Sequence, residues 1–219
     1  MLGTELRKSR TAAIPHQGLP AKKNTTKDTR ILVTIAGLEP KVGATHLALS
    51  LALKASEQGK SCGVILPEKN FDSMKECYVL SVREETAAGQ RKRQFASFAG
   101  ISIMSGVLPG DIEGFQLLIW DCGVLSEGAR RFASGDLRCI VSGGQAWELA
   151  PLNALLLSTS YEDLRGLAVC IRGVSQDDFN HIHKQMAGKI PCVFVQHKPT
   201  WSDISLREDL VALLRLAGC

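Results

Sequence analysis

The sequence predicts an α/β fold, a three-layer α/β/α domain built on a mainly parallel sheet. Two observations predict it. Beyond residue 30, apolar runs of strand length alternate with segments of helical period, the order expected of βαβ units with right-handed crossovers. The strand-like runs are also continuous Val/Ile/Leu/Cys stretches rather than alternating ones. That pattern suits strands covered on both faces.

The elements follow in order. Residues 31–36 read as a buried strand, 37–43 as a loop and 45–58 as a helix rich in leucine and alanine that stops at Gly59. A second strand is expected over 62–66. Residues 72–98 are polar and charged, which predicts a helix followed by a mobile excursion. Further strands are expected over 101–105, 116–120, 137–142, 167–171 and 192–196. Helices are expected over 147–157, over 176–186 with Ser175 as N-cap and Gly188 as terminator, and over 205–216. The last is amphipathic, with Leu206, Leu210, Leu213 and Leu214 opposite Arg207, Glu208 and Asp209, so its apolar side is expected to pack onto the sheet. Its polar side lacks the basic enrichment of a membrane-surface helix.

With 219 residues and 45% hydrophobic content, the chain can bury one sizeable core. The expected organisation is a disordered basic tail over 1–30 and one α/β domain over 31–219. The net charge of +4 is unevenly placed: residues 1–30 hold seven basic side chains against Glu5 and Asp28, leaving 19 basic and 20 acidic groups elsewhere. The basicity therefore belongs to the tail, where it leaves room for contact with nucleic acid or anionic lipid. No apolar run approaches the ~20 residues needed to span a bilayer, and no secretory signal is visible. The seven cysteines form no CxxC pair, and four of them (122, 139, 170, 192) lie in or beside apolar strand runs. This usage points to a reducing cytoplasm and to cysteine as a small buried hydrophobe.

The chemistry sits in the first loop. A phosphate-binding loop lets the backbone curl so that N–H groups face the phosphates at a helix N-terminus; a lysine then neutralises charge and a Ser/Thr hydroxyl meets magnesium. Here Gly43 and Thr45 fall at the last glycine and the magnesium hydroxyl, and Ala44 occupies the lysine position between them. Gly37 stands one residue too early for a strict GxxxxGK[ST]. Lys41 is the lysine within reach of the same loop. Downstream, Gln116-Leu-Leu-Ile-Trp-Asp-Cys-Gly123 places Asp121 at a buried strand end with a glycine close behind, the arrangement that holds a magnesium shell.

These residues resemble the opening of the MinD/ParA superfamily of deviant-Walker P-loop ATPases, closer to the divergent branch around the TadZ/CpaE pilus-localisation proteins. Typical members read KGGVGKT. Aligning Val-Gly-x-Thr puts Glu39 and Ala44 at the two lysine positions, so the expected hydrolysis is weak or absent. The resemblance implies ATP or ADP with Mg2+ as ligand. Lys41, Gly43, Ala44, Thr45 and His46 would contact the nucleotide, and Thr45 and Asp121 would hold the metal. It also implies a protein partner in a pilus, secretion, conjugation or cell-division system, and a homodimer. Glu68 matches by position the acidic end of the second strand. Ser142 and Gly143 fall on the ligand-binding edge, with Trp147 as a packing residue. His197 and Lys198 are neighbours of the base. Alternatives are a pseudo-NTPase interaction module and a nucleic-acid-associated regulator using the tail. His181 and His183, two apart on a helix, face different directions and predict no metal site. Arg91-Lys-Arg93 is too short a basic patch to specify nucleic acid.

Overall fold

The computed structural model describes residues 30–86, 92–160, 162–186, 190–195 and 207–219. Nearly all of the basic tail, Arg91, His197 and Lys198 lie outside the described residues. Arg30, counted with the tail, opens the described fold, and its Nη1 donates to the carbonyls of Pro109 at 2.9 Å and Ile112 at 2.5 Å.

The elements run β1 (Ile31–Gly37), α1 (Ala44–Glu57), β2 (Cys62–Ile65), α2 (Glu68–Tyr78), β3 (Val82–Glu85), β4 (Arg93–Phe98), β5 (Ile101–Ser105), β6 (Leu117–Val124), α3 (Leu125–Phe132), β7 (Leu137–Gly143), α4 (Ala146–Ser158), β8 (Leu167–Arg172), α5 (Gln176–Met186), β9 (Cys192–Phe194) and α6 (Glu208–Leu216). Among the described residues nine strands form one sheet, in the order β3-β4-β5-β2-β6-β1-β7-β8-β9. Among these described strands, only the pairings of β4 with β3 and with β5 are antiparallel. All other neighbours are parallel, as their apolar runs predict.

Alternate residues of each central strand enter one of two cores, which makes the fold three layers. Val33, Ile35, Leu117, Ile119, Cys139 and Cys170 face α1, α2 and α6. Leu118, Trp120, Cys122, Ile140, Val169 and Ile171 face α3, α4 and α5. α1 is buried along nearly its whole length. Its leucines at 47, 49, 51 and 53 cannot form a single stripe on a helix. They make sense because α1 packs against the sheet on one side and α6 on another, so it is apolar all round. The α6 leucines 210, 213 and 214 are fully buried in that same core, each contributing about 1.5–3 kcal/mol.

Four features depart from the sequence reading. The expected excursion within 72–98 instead contains β3 and β4, an antiparallel edge whose exposed, charged residues hide the strand pattern. The short helix α3 was not expected; it buries only Gly128 and Phe132. β6 continues through Asp121 to Val124 rather than ending at residue 120. Trp147 is 72% exposed rather than packed.

Gly128 is where α3 touches the sheet. A Cβ there would lie 2.3 Å from the backbone carbonyl of Cys122, which cannot swing away as a side chain can. Gly128→Ala is therefore expected to lever α3 off β6 at a cost of about 1–3 kcal/mol. In a chain of this size each kcal/mol lowers Tm by about 2–4 °C, and a melt followed by circular dichroism checks it. An unchanged Tm would mean that α3 packs less closely than described.

Candidate functional site

The carboxyl ends of β1, β2, β6, β7 and β8 lie along one edge of the sheet, and the first loop joins β1 to α1 there. β1 is flanked by β6 and β7 while α1 crosses to β2 beyond β6, a change of winding direction where open α/β sheets form crevices. The loop over 38–43 is tightly curled. A Cβ on Gly37 would meet Val42 Cγ2 at 2.7 Å and the Glu39 carbonyl at 2.8 Å. Lys41 and Gly43 both take left-handed backbone, at φ 65° and 93°. Such turns rotate successive N–H groups toward a common point. Three bonds hold the curl: Leu38 N–H to the Val141 carbonyl at 2.8 Å, Leu47 N–H to the Gly43 carbonyl at 3.0 Å, and Arg172 Nη1 to the Val42 carbonyl at 2.6 Å. No side chain caps α1, and its first turn has no acidic residue, so its positive end faces the loop.

Below the loop, three side chains from three elements meet. Thr45 Oγ1, on the first turn of α1, donates to Asp121 Oδ2 at 2.5 Å. Asn70 Nδ2, on α2, donates to Thr45 Oγ1 at 2.8 Å and to Asp121 Oδ2 at 3.2 Å. The Gly123 N–H donates to Asp121 Oδ1 at 2.9 Å. A bulge aims this carboxylate. Ile35 of β1 pairs with Asp121, but Gly37 pairs with Val124, so β6 carries one extra residue there, and Gly123 sits at φ 74°. Bulges of this kind re-aim side chains beside sites. Asp121 is fully buried. Burial pushes its carboxyl above the ordinary carboxylate range, against the opposing pull of the bonds from Thr45, Gly123 and Asn70 and of the Arg131 charge.

The structure brings Gly43, Ala44, Thr45 and Asp121 together and spreads the other expected residues around them. Ala44 is buried in the core beneath the loop. Lys41 is exposed. His46 is half-buried, with Nδ1 3.5 Å from Ser50 Oγ along α1. Glu68 and Glu39 are exposed. Ser142 is buried and its hydroxyl donates to the Gly143 carbonyl at 3.0 Å. The Glu148 carboxyl group covers Gly143 and accepts from the Gln145 N–H at 3.0 Å. Two residues that sequence reasoning missed join the site, Asn70 and Arg172. Asn70 lies two positions past the expected Glu68, and Arg172 ends an ordinary apolar strand. Neither belongs to a motif.

Thr45 Oγ1 and Asp121 Oδ2 are hard oxygen donors of the kind magnesium takes, and turning the Asn70 amide would present its Oδ1 to the same point. Among the described residues no group of three or more His, Cys, Asp and Glu side chains gathers as a cation cage. The residues present fit a magnesium ion that keeps phosphate and water oxygens for the rest of its shell, its usual habit. A groove of about 740 Å³ over the outer strands, lined by Arg83, Phe95, Met104 and Phe115 among others, shares no residue with this site.

No protein-family model matches the chain, and no curated protein matches it in sequence. Solved structures match it in fold. A plasmid partition protein from Borrelia burgdorferi B31 bound to AMPPNP is 10% identical with a TM-score of 0.53, covering 87% of this chain and 98% of that one. The MinC:MinD cell division protein complex of Aquifex aeolicus matches at 13% identity and a TM-score of 0.57, covering 86% of this chain and 94% of that one. MinD of the same organism matches at 12% identity and 0.55, covering 84% and 89%. The chain therefore has the fold of MinD and the plasmid partition proteins, a layered α/β fold of the P-loop NTPase kind with a mainly parallel sheet.

Proposed function

We propose that this chain binds ATP or ADP with Mg2+ at the loop over 38–45, hydrolyses it slowly or not at all, and acts as a positioning or assembly factor through a protein partner. The observation that carries this reading is the junction of Thr45 and Asp121 at 2.5 Å directly under the curled loop. It sets a hydroxyl and a carboxylate where a phosphate-bound magnesium would need them. Magnesium, when bound, would neutralise phosphate charge. The chain's own part is to orient it, through Thr45 on α1 and Asp121 on the β6 bulge, while the N–H groups around Gly43 bind phosphate oxygens. Phosphoryl transfer depends on fixed positive charge at the transferring group, and Ala44 and Glu39 supply none. In this reading the divergent loop belongs to a branch such as the TadZ/CpaE-like proteins. The MinC-bound form of a protein with this fold supports a protein partner, and a homodimer remains part of the proposal.

A second reading, an interaction module without nucleotide, is favoured by Asn70. Its amide nitrogen bridges Thr45 and Asp121 and so satisfies with a neutral donor what a cation would otherwise satisfy. Calorimetric titration of the full chain with ATP and ADP, with and without magnesium, separates the two. The expected result is magnesium-dependent binding that Thr45→Ala weakens about tenfold, roughly 1.4 kcal/mol. No heat at millimolar ATP with magnesium would leave the interaction module standing and remove the nucleotide.

A further inference from the structure

The helix α4 carries an apolar face that is left in solvent. Only Glu148 of its thirteen residues is charged and only Leu152 is buried. Leu149, Leu155 and Leu156 pack partly against the core. The other side of an ordinary surface helix is polar, as on α5, where Asp177, Asp178 and Lys184 are exposed. On α4 it instead reads Trp147, Ala150, Pro151, Ala154 and Leu157, all exposed, at the helical spacing that makes one stripe. Trp147 is 72% exposed and Leu157 85%. The single charge is engaged at the helix start, where the Glu148 carboxyl group accepts from the Gln145 N–H and lies over Gly143. Contiguous exposed apolar surface of this kind marks an interaction site.

The stripe is symmetric about residue 152: Trp147 and Leu157 stand equally far to either side of it, and so do Ala150 and Ala154. In an antiparallel pair of α4 helices, Trp147 of one copy therefore lies level with Leu157 of the other at both ends. Ala150 lies level with Ala154 between them. The alanines let the helix axes approach to about 8 Å, while the large side chains close the ends. Such self-complementarity is what a two-fold contact requires. Because the stripe carries no charge, two copies meet without setting like charges together. It also lacks the lysine and arginine that a lipid-facing helix presents. The apolar surface continues past Leu157 into a cavity of about 230 Å³ lined also by Leu156, Leu164 and Met186. Two such surfaces in contact remove roughly 1,000 Å² from water in total, counting about 150 Å² for each tryptophan, which is the lower end of a specific interface. A contact of that size fits a dissociation constant on the order of 10 μM.

We propose that α4 is a homodimer surface, pairing antiparallel with α4 of a second copy of this chain across a two-fold axis level with residue 152. This deepens the homodimer part of the reading above and rests on that part, not on nucleotide, since no residue of the stripe belongs to the first loop or to the Thr45–Asp121 junction.

Sedimentation velocity of the full chain from about 1 to about 300 μM tests it, a range that brackets the expected constant. The expected result is a monomer at the low end that becomes a dimer at the high end, with or without ATP and magnesium. Trp147→Glu and Leu157→Glu are each expected to weaken the dimer at least about thirtyfold, the scale of a central anchor. Both positions are exposed, so the melting temperature of the dilute monomer should not change. Mixing reads the register: Ala150→Lys and Ala154→Glu chains are expected to pair with one another about threefold more tightly than either pairs with itself. No gain on mixing overturns the antiparallel pairing. A chain that stays monomeric throughout overturns the homodimer surface; flotation with anionic lipid vesicles would then give the stripe to a membrane, and no flotation would give it to a different protein. A dimer that both glutamate variants retain also overturns it, and if that dimer forms only with ATP and magnesium the nucleotide reading stands. Dimerisation through α4 by a chain that binds no ATP upholds the surface and removes the nucleotide.

Discussion

Asp121→Asn is expected to leave the ligand-free chain at least as stable as the unmodified one at neutral pH, and to abolish magnesium-dependent nucleotide binding. The two effects have one cause. Burial raises the Asp121 carboxyl above its ordinary value of 3.8, so the folded chain holds that proton more tightly than the unfolded chain does. Folding stability from this group is fully present below the unfolded value. It falls as pH rises from there through the raised folded value, and above that value the whole cost of the buried charge is borne. Asparagine removes the charge and keeps the shape. Its Oδ1 still accepts from Gly123, and turning the Asn70 amide lets the rest of the cluster stay bonded. Relieving a functional site in this way typically raises stability by about 0.5–2 kcal/mol. Thermal melts across pH check it: the unmodified chain should lose stability from acidic to neutral pH more steeply than the variant. A variant that melts well below the unmodified chain at neutral pH would show that the carboxylate is a net stabiliser.

Asn70→Asp is expected to act in the opposite sense. It places a second carboxylate where an amide nitrogen now lies 3.2 Å from Asp121 Oδ2. Two carboxylates at that separation, that of Asp121 fully buried, cannot both ionise without large cost. The ligand-free variant is expected to lose about 3 kcal/mol or more at neutral pH, as when a buried charge loses its counterpart. It should recover much of this at mildly acidic pH, where the pair shares a proton. Excess magnesium should also restore stability, by about 2.7 kcal/mol when present at a hundred times its dissociation constant. Scanning fluorimetry with and without magnesium reads both. A variant that melts like the unmodified chain and ignores magnesium would mean that residues 45, 70 and 121 do not form one compact site.

Much of the fold was legible because the central strands are buried on both faces. Strands such as β7 and β8 are nearly continuous apolar runs, and their burial follows from composition alone. β3 and β4 were not legible because they lie at the sheet's edge, where exposed charges such as Arg83, Glu84 and Glu85 replace the apolar signal. Charged edges also resist pairing with other chains. α3 escaped because eight residues with one small and one large buried position make too weak a period. At the candidate site, Gly43, Thr45 and Asp121 could be read from spacing within a loop and a strand. Asn70 and Arg172 could not, since their contacts with Thr45 and Val42 cross 25 and 130 residues. No local pattern encodes a meeting of that separation.

The bond from Arg172 to Val42 also orders events in folding. Closing a segment of 130 residues costs chain entropy that local turns do not return. The Leu38 bond to Val141 and the Thr45 bond to Asp121 likewise wait for β7 and β6. The loop lies near the start of the chain, yet its curl is held by residues that leave the ribosome long after it. Until β8 has joined the sheet, the emerging chain carries the loop's residues without its shape. Competence at this site is thus a late property of the whole sheet, and a partly folded chain cannot display it early.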